Sequence, residues 1–224
     1  MPAHPIANAL IQQAGVPIAA PSANLSGRPS PTRASDVFHD LAGKIPLIID
    51  GGSCEVGLES TVIDLNSQPP LILRPGGITL EQLKEWIPGI QVYEKIKPRK
   101  ELEERPSTPG LKYTHYSPLA KVLLFEGSQK LVQIAIEKKS LDLIKQELAI
   151  GIIHTIPSPR PYVAIENNPK VSIIRLFSED HADKKELISN PALVAKGLFA
   201  ALRDLDSLKD RKSTRLNSSH RIRS

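Results

Sequence analysis

The chain has 224 residues, of which 40% are hydrophobic and 24% charged, a composition typical of a globular protein with one or two domains. The absence of a ~20-residue apolar run and of a secretory signal pattern, together with a single cysteine, Cys54, predicts a cytoplasmic protein without disulfides or membrane contact. The net charge of +5 comes from residues 211–224, which hold five Lys or Arg and no acid, so the rest of the chain is neutral and indicates no basic nucleic-acid face.

The first third of the chain predicts alternating helices and strands, as in an α/β layer architecture. Pro5 fits the first turn of a helix that Gly15 ends. Thr32 is typical of the N-cap of a second helix, with Val37 and Leu41 on its buried side. Strands are also predicted at 16–20, 46–50, 61–65 and 71–74, and Thr79 with Gln82 forms the capping box of a short helix that ends at Trp86.

A polar loop follows the first predicted strand. The hydroxyls of Ser22, Ser26 and Ser30 and the amide of Asn24 stand close together in sequence, where they and backbone N–H groups could converge on an oxyanion. A strand, a Gly-containing loop and a helix in this order form many phosphate sites. From composition alone, an ordinary surface loop fits these residues equally well.

Residues 21–27, Pro-Ser-Ala-Asn-Leu-Ser-Gly, resemble the signature of the YrdC-type threonylcarbamoyl-AMP synthases, which make the activated intermediate for the t6A modification of tRNA. Four further stretches resemble this family in order and approximate spacing, with Leu111 where Met is usual. They are Met-Pro-Ala-His-Pro at 1–5, the Asp-Gly-Gly, Gly57 and Glu-Ser-Thr-Val-Ile-Asp block within 50–64, Leu-Arg-Pro-Gly at 73–76, and residues 107–118. The resemblance covers about residues 1–208.

The resemblance implies the long, two-domain form of the family. We expect an incomplete YrdC-like α/β domain with a twisted mixed sheet at 1–93, a linker or lid at 94–120, and a small Rossmann-like α/β domain at 121–210. Predicted strands at 121–125, 150–154 and 171–175 and predicted helices at 129–148 and from 190 or 191 agree with the last of these.

Both ends of the chain are expected to be truncated. Family members carry a Lys-x-Arg motif upstream of the stretch that resembles residues 1–5, so we expect an open pocket and a weak or inactive enzyme. Residues 211–224 lack apolar periodicity and are expected to be a disordered tail, either non-native read-through or a genuine basic extension.

The resemblance implies a reaction that joins L-threonine, bicarbonate and ATP, with Mg²⁺, into threonylcarbamoyl-AMP and pyrophosphate. Such chemistry needs positioning and charge neutralisation, so no protein nucleophile and no metal-ligating side chain is assigned. The family's positions match Ser22, Asn24, Ser30 and Arg74 for ATP, Ala20 and Ser60 for L-threonine with Thr61 and His4 as secondary contacts, and Lys112, Tyr113, His115 and Tyr116 for the lid.

Other functions remain open at this point. A YrdC-like module also forms carbamoyl-adenylates in hydrogenase-maturation enzymes, but that family continues differently after this domain. A non-catalytic nucleotide- or RNA-binding fragment is a second alternative, although the neutral chain without its last residues lacks a basic, aromatic-studded stripe. tRNA or proteins of the t6A machinery are the expected macromolecular partners.

Overall fold

The computed structural model describes residues 2–93, 118–155, 162–176 and 191–208, together with the backbone of a strand at 213–217. Up to residue 93 they contain a three-stranded sheet and from residue 118 a four-stranded sheet, and these two parts are called the first and the second unit. Within these ranges, no helix is both long enough and apolar enough to span a lipid bilayer.

The first unit combines helices with a small mixed sheet. In chain order, its elements are α1 (Pro5–Ala14), α2 (Ala34–Leu41), β1 (Val62–Asp64), β2 (Leu71–Arg74), α3 (Leu80–Trp86) and β3 (Gln91–Val92). The sheet order is β1-β2-β3, with β1 antiparallel and β3 parallel to β2. Ile72 on β2 and Ile90 before β3 are buried at 2% and 1% exposure, so the core of this unit lies beneath the middle strand.

Local sequence signals set the ends of two helices as predicted. Pro5 occupies the first turn of α1, and Gly15 ends the helix in the left-handed conformation with φ 64°. At α3, the Thr79 hydroxyl accepts a hydrogen bond from the Gln82 N–H, and the Gln82 side chain accepts one from the Thr79 N–H at 2.9 Å. The predicted capping box is therefore confirmed.

Three predictions for this unit are wrong. The N-cap of α2 is Arg33 and not Thr32, because the helix begins at Ala34; the N–H of the buried Thr32 donates to the Asp36 carboxylate at 3.3 Å. Residues 16–20 and 46–50 are not strands, and most of their larger aliphatic side chains are exposed, namely Val16, Ile18, Leu47 and Ile49. A strand needs a neighbouring strand for its backbone hydrogen bonds. In the described part of the chain no strand pairs with either segment, so the apolar pattern alone was insufficient to predict a strand.

The second unit is a parallel α/β layer structure, which confirms the predicted Rossmann-like arrangement. Its elements are β4 (Lys121–Leu124), α4 (Gln129–Lys145), β5 (Ala149–His154), β6 (Val171–Arg175), α5 (Pro191–Ser207) and β7 (Ser213–Asn217). The sheet order is β4-β7-β5-β6, and each neighbouring pair is parallel.

Strand β5 lies at the centre of the second core, and all six of its residues are buried. Helix α4 packs with Ile150 and Ile152, whereas α5 packs with Ile153 through Leu205. At Gly151 a Cβ would lie 2.7 Å from a Leu205 methyl carbon, so the glycine lets α5 approach the strand closely. Burial on both faces explains the nearly continuous apolar sequence of β5.

The prediction of no stable structure in residues 211–224 is wrong for 213–217. Strand β7 pairs with both β4 and β5, and Leu216 lies opposite Leu123 and Ile152. Parallel strands on either side present backbone donors and acceptors, and pairing with them does not require the apolar periodicity that the segment lacks. The origin of this segment and the domain boundaries at residues 93, 120 and 210 stay predictions.

Candidate functional site

The polar loop (residues 21–30) is held in shape by hydrogen bonds among its own residues. The Ser22 hydroxyl donates to Asn24 Oδ1, and the Asn24 amide donates to the carbonyls of Leu25 and Arg28 at 2.9 and 3.1 Å. Ser22 is exposed, whereas Asn24 is half-buried. Asn24 therefore braces the loop, and the Ser22 hydroxyl lies at the surface beside it.

Arg74, at the end of β2, organises a second polar cluster. Its Nε and Nη2 donate to the Ser60 carbonyl at 3.2 and 2.9 Å, and Nη2 also lies 3.1 Å from the Ser60 hydroxyl. A Glu59 carboxylate oxygen lies 3.8 Å from the guanidinium, and the Ser30 hydroxyl donates to the other oxygen of that carboxylate. The cluster thus links the polar loop to the segment before β1 and the end of β2.

The glycines after Arg74 allow this cluster to form. A Cβ at Gly76 would lie 2.4 Å from both the Glu59 carbonyl oxygen and the Thr61 nitrogen, so only glycine fits there without displacing the backbone. The Gly77 N–H donates to the Glu59 carbonyl at 2.9 Å. The sequence Leu-Arg-Pro-Gly-Gly therefore brings the end of β2 against the segment that carries Glu59 and Ser60.

Thr61 and His4, the two predicted secondary contacts of L-threonine, make hydrogen bonds within the fold. The Thr61 hydroxyl donates to the Ile78 carbonyl at 2.6 Å and accepts from the Ile78 N–H at 3.0 Å. His4 Nε2 lies 3.1 Å from the Gly51 carbonyl, and a Cβ at Gly51 would be 2.9 Å from the imidazole. Ala20 is exposed at the start of the polar loop.

The structure brings some of the predicted site residues together. Ser60 contacts Arg74 directly, Ser30 is connected to Arg74 through the Glu59 carboxylate, and Ser22 contacts Asn24 within the polar loop. The predicted lid residues, Lys112, Tyr113, His115 and Tyr116, lie outside the described residues, so the lid stays a prediction.

Sequence analysis missed Glu59 and Asp40, two carboxylates that connect the site. Glu59 directly precedes Ser60, so a charged residue next to a predicted site residue is the signal that would have identified it. Asp40, near the end of α2, accepts hydrogen bonds from the Leu25 N–H at 3.2 Å and from Arg28 at 3.1 Å, although its side chain is fully buried. A polar residue on the buried side of an amphipathic helix is the signal that would have identified it.

The charge of Asp40 is maintained in the fold. Burial alone raises its pKa, but hydrogen bonds from Arg203, His39 and the Leu25 N–H outweigh this effect and hold the pKa well below its usual range. The carboxylate is therefore ionised at neutral pH and holds the polar loop through Leu25 as an anion.

A buried histidine in the second unit has a different role. His154 Nδ1 lies 3.0 Å from the Tyr162 hydroxyl, and both side chains are buried. Burial, with a smaller contribution from Arg175, lowers the pKa of His154 to about 4, so it is neutral at pH 7. A hollow bordered by Gly151, Lys170 and Leu205 in this unit is mainly aliphatic, which does not suit a nucleotide phosphate.

Comparison with family models covers nearly the whole chain. A model of the Sua5, YciO and YrdC proteins, described as telomere recombination, matches residues 1–76. A model of the C-terminal domain of threonylcarbamoyl-AMP synthases matches residues 78–218, which is more than half of the chain. The chain belongs to the threonylcarbamoyl-AMP synthase family. The boundary between the two matches lies at residues 76–78, between β2 and α3, and therefore before the last strand of the first sheet.

Individual synthases show the same similarity. The chain is 41% identical to the Schizosaccharomyces pombe threonylcarbamoyl-AMP synthase over 220 residues, covering 92% of the chain and 49% of the relative. It is 40% identical to the Bacillus subtilis synthase over 209 residues, covering 93% of the chain and 54% of the relative. The chain spans about half the length of these relatives.

A solved structure supports the two-domain arrangement. Sua5 from Pyrococcus abyssi, crystallised in complex with L-threonine, superposes with a TM-score of 0.74 at 35% identity, covering 97% of this chain and 57% of that one. The predicted α/β fold with two domains is confirmed by this similarity.

Proposed function

We propose that this chain provides the Ser22–Ser30 loop, Ser60 and Arg74 to an enzyme that forms threonylcarbamoyl-AMP and pyrophosphate from L-threonine, bicarbonate and ATP. The observation that carries the proposal is the cluster of Ser30, Ser60 and Arg74 around Glu59 in a chain of this family. The named relatives are threonylcarbamoyl-AMP synthases, and the Pyrococcus abyssi protein binds L-threonine.

Arg74 provides the positive charge that the reaction needs. Bicarbonate condenses with the threonine amine with loss of water, and the resulting carbamate oxygen attacks the α-phosphorus of ATP while the bond to pyrophosphate breaks. Negative charge increases on the phosphate oxygens, where a guanidinium forms charge-assisted hydrogen bonds. The Arg74 side chain is 19% exposed, so its charge is partly shielded from water. It therefore interacts more strongly with a phosphate than a fully exposed guanidinium would.

The remaining residues bind and orient the substrates. Ser22, Asn24 and Ser30 contact ATP. The Ser60 hydroxyl and the Ala20 backbone contact L-threonine, with Thr61 and His4 as secondary contacts. Two reactants held in line need no covalent protein intermediate, because positioning alone removes much of the barrier. The lid, Lys112 to Tyr116, would exclude water from the mixed anhydride.

Magnesium accompanies ATP in this proposal and is held mainly by phosphate oxygens and water. In the portion of the chain described by the structure, no three His, Cys, Asp or Glu side chains form a metal-binding group. Glu59 is already engaged by Ser30 and Arg74. When bound, the ion neutralises phosphate charge and orients the leaving pyrophosphate.

Pyrophosphate release tests the proposed reaction. It should be measured for the 224-residue chain and for the full-length gene product, with L-threonine, bicarbonate and ATP omitted one at a time. We expect release that depends on all three substrates. Release that is indifferent to L-threonine would contradict the proposal, because without the threonine amine no carbamate can form. A cytoplasmic location and use of the product by the tRNA-modifying machinery belong to the same proposal.

A further inference from the structure

We propose that helix α5 of the second unit positions the polar loop of the first unit through Arg203. This inference rests on the proposed function, because it concerns the loop assigned to ATP. Arg203 lies in the C-terminal half of α5 and is 8% exposed. Its Nε donates to the Pro29 carbonyl at 3.0 Å, and its Nη2 donates to Asp40 Oδ2 at 2.8 Å.

The Arg203–Asp40 pair holds the loop at two points. Arg203 binds the carbonyl of Pro29, and Asp40 binds the N–H of Leu25 at 3.2 Å. Each of these two residues is next in sequence to a proposed ATP contact, since Asn24 precedes Leu25 and Ser30 follows Pro29. A shift of either point would therefore move a side chain assigned to the nucleotide.

Helix α5 also touches the segment that carries the other half of the site. A Cβ at Gly57 would lie 2.4 Å from the Lys196 carbonyl oxygen, so the helix backbone rests against the chain two residues before Glu59. Arg33 adds a more exposed contact, donating to Asp204 Oδ2 at 3.2 Å. One helix therefore contacts both the polar loop and the Glu59–Ser60 segment, and its opposite side packs on β5 through Leu205.

The geometry requires an arginine rather than any cation. A guanidinium is a planar fork that donates to a carbonyl and a carboxylate at the same time, whereas a lysine ammonium concentrates its charge at one point. Arg203 contacts no reacting group in this proposal and is a positioning residue. Its effect on the reaction passes through Pro29 and Asp40.

Three variants of the full-length protein test the proposal. Arg203→Met removes the charge and the fork, Arg203→Lys keeps the charge, and Asp204→Asn is a control that breaks the neighbouring, more exposed ion pair on the same helix. Each is measured for kcat/KM with ATP, well below its own unfolding temperature, and for amide hydrogen exchange in residues 22–30.

We expect Arg203→Lys to lower kcat/KM by about tenfold or more and to accelerate exchange in residues 22–30, since small misplacements at a reacting site can cost about 100-fold. Exchange in 149–154 should remain that of the parent. Asp204→Asn should change neither quantity by more than about twofold, as is typical of an exposed ion pair. If Arg203→Met does not fold, Arg203→Lys decides the question.

Parental kcat/KM together with parental exchange in 22–30 for Arg203→Lys would overturn the proposal and leave Arg203 a purely structural residue. A change in unfolding temperature alone would have the same meaning. If the parent itself releases no pyrophosphate, the proposed function fails, and the exchange of residues 22–30 still decides whether α5 positions the loop.

Discussion

At the scale of single residues, the candidate site depends on how a few charges and hydroxyls are shared. Arg74 lies between the Glu59 carboxylate and the carbonyl and hydroxyl of Ser60. Glu59 in turn accepts from Ser30. A guanidinium held in this way keeps a fixed position without being fully neutralised, which suits a group that must interact with phosphates.

Replacing Arg74 by alanine tests that role. We expect Arg74→Ala to reduce kcat/KM for ATP in the full-length protein by about 10- to 100-fold, because a charge-assisted hydrogen bond contributes about 1.5–3 kcal/mol. Steady-state pyrophosphate release is the measurement. Arg175→Ala is the matched control, since this arginine also ends a strand but lies in the second unit. Equal kinetics for the two variants would refute the assignment.

Ser60 and Thr61 are neighbours with different predicted roles. Ser60→Ala should raise KM for L-threonine several-fold with little change in unfolding temperature, because the exposed Ser60 hydroxyl is available to a ligand. Thr61→Val should instead lower the unfolding temperature, because both hydrogen bonds to Ile78 are lost. Substrate titration and thermal melts of both variants separate the roles, and the reverse pattern would exchange them.

At the scale of the elements, β5 and α5 each carry a buried polar side chain beside apolar ones, and the polar and apolar side chains have different packing partners. His154 ends β5 within the core of the second unit, where Tyr162 supplies a hydroxyl at 3.0 Å. On α5, Leu205 packs on the sheet and Arg203 contacts the first unit. Side chains alternate between the two faces of a strand and turn by about 100° per residue around a helix. Residues close in sequence can therefore contact different parts of the molecule.

The buried histidine makes stability depend on pH in a definite direction. The pKa of His154 is about 4 in the fold and near 6.5 in the unfolded chain. The contribution of the neutral histidine to the free energy of unfolding is therefore complete above pH 6.5 and is lost as the pH falls towards 4. A shift of this size corresponds to about 3 kcal/mol.

Urea unfolding at pH 7 and pH 4.5 should show a smaller pH dependence for His154→Gln than for the parent. Tyr162→Phe should retain the parental pH dependence, because tyrosine does not titrate in this range. Equal pH dependence in His154→Gln and the parent would show that the histidine is not buried in its neutral form.

At the scale of the whole molecule, the two units are joined by charged residues. Arg203 and Asp40 are buried and hydrogen-bonded, whereas the ion pair of Arg33 with Asp204 is more exposed. Breaking a buried pair leaves an uncompensated charge in the interior, while an exposed pair contributes little. Of these two ion pairs, the buried one is therefore expected to contribute more to stability and to the mutual placement of the units.

Asp40→Asn tests the strength of this connection. The substitution should destabilise the protein by about 3–5 kcal/mol, because it leaves Arg203 buried without its counter-charge. Asp204→Asn should cost less than about 1 kcal/mol. Because the pKa of Asp40 is lowered by the fold, its contribution is present above its ordinary pKa of 3.8 and is lost as the pH falls below it. Urea unfolding checks both variants, and similar losses would show that the pair is not the main connection.

Several elements followed from local signals in the sequence. Pro5 and Gly15 predicted the bounds of α1, and Thr79 with Gln82 predicted the capping box of α3, because these signals act through neighbouring backbone groups. The segments 16–20 and 46–50 were predicted wrongly for the opposite reason. Their strand-like patterns describe side chains, while strand formation depends on a distant backbone partner.

The sequence by itself determined the family, the α/β alternation and the residue types at the site, because ordered motifs and local periodicity are properties of the linear chain. Only the tertiary structure decided that Glu59 joins Ser30 to Arg74, and that Arg203 and Asp40 hold the polar loop. Arg203 is 174 residues from the Pro29 carbonyl it binds. Such a contact arises from how α5 of the second unit packs against the first unit, and no spacing along the chain encodes it.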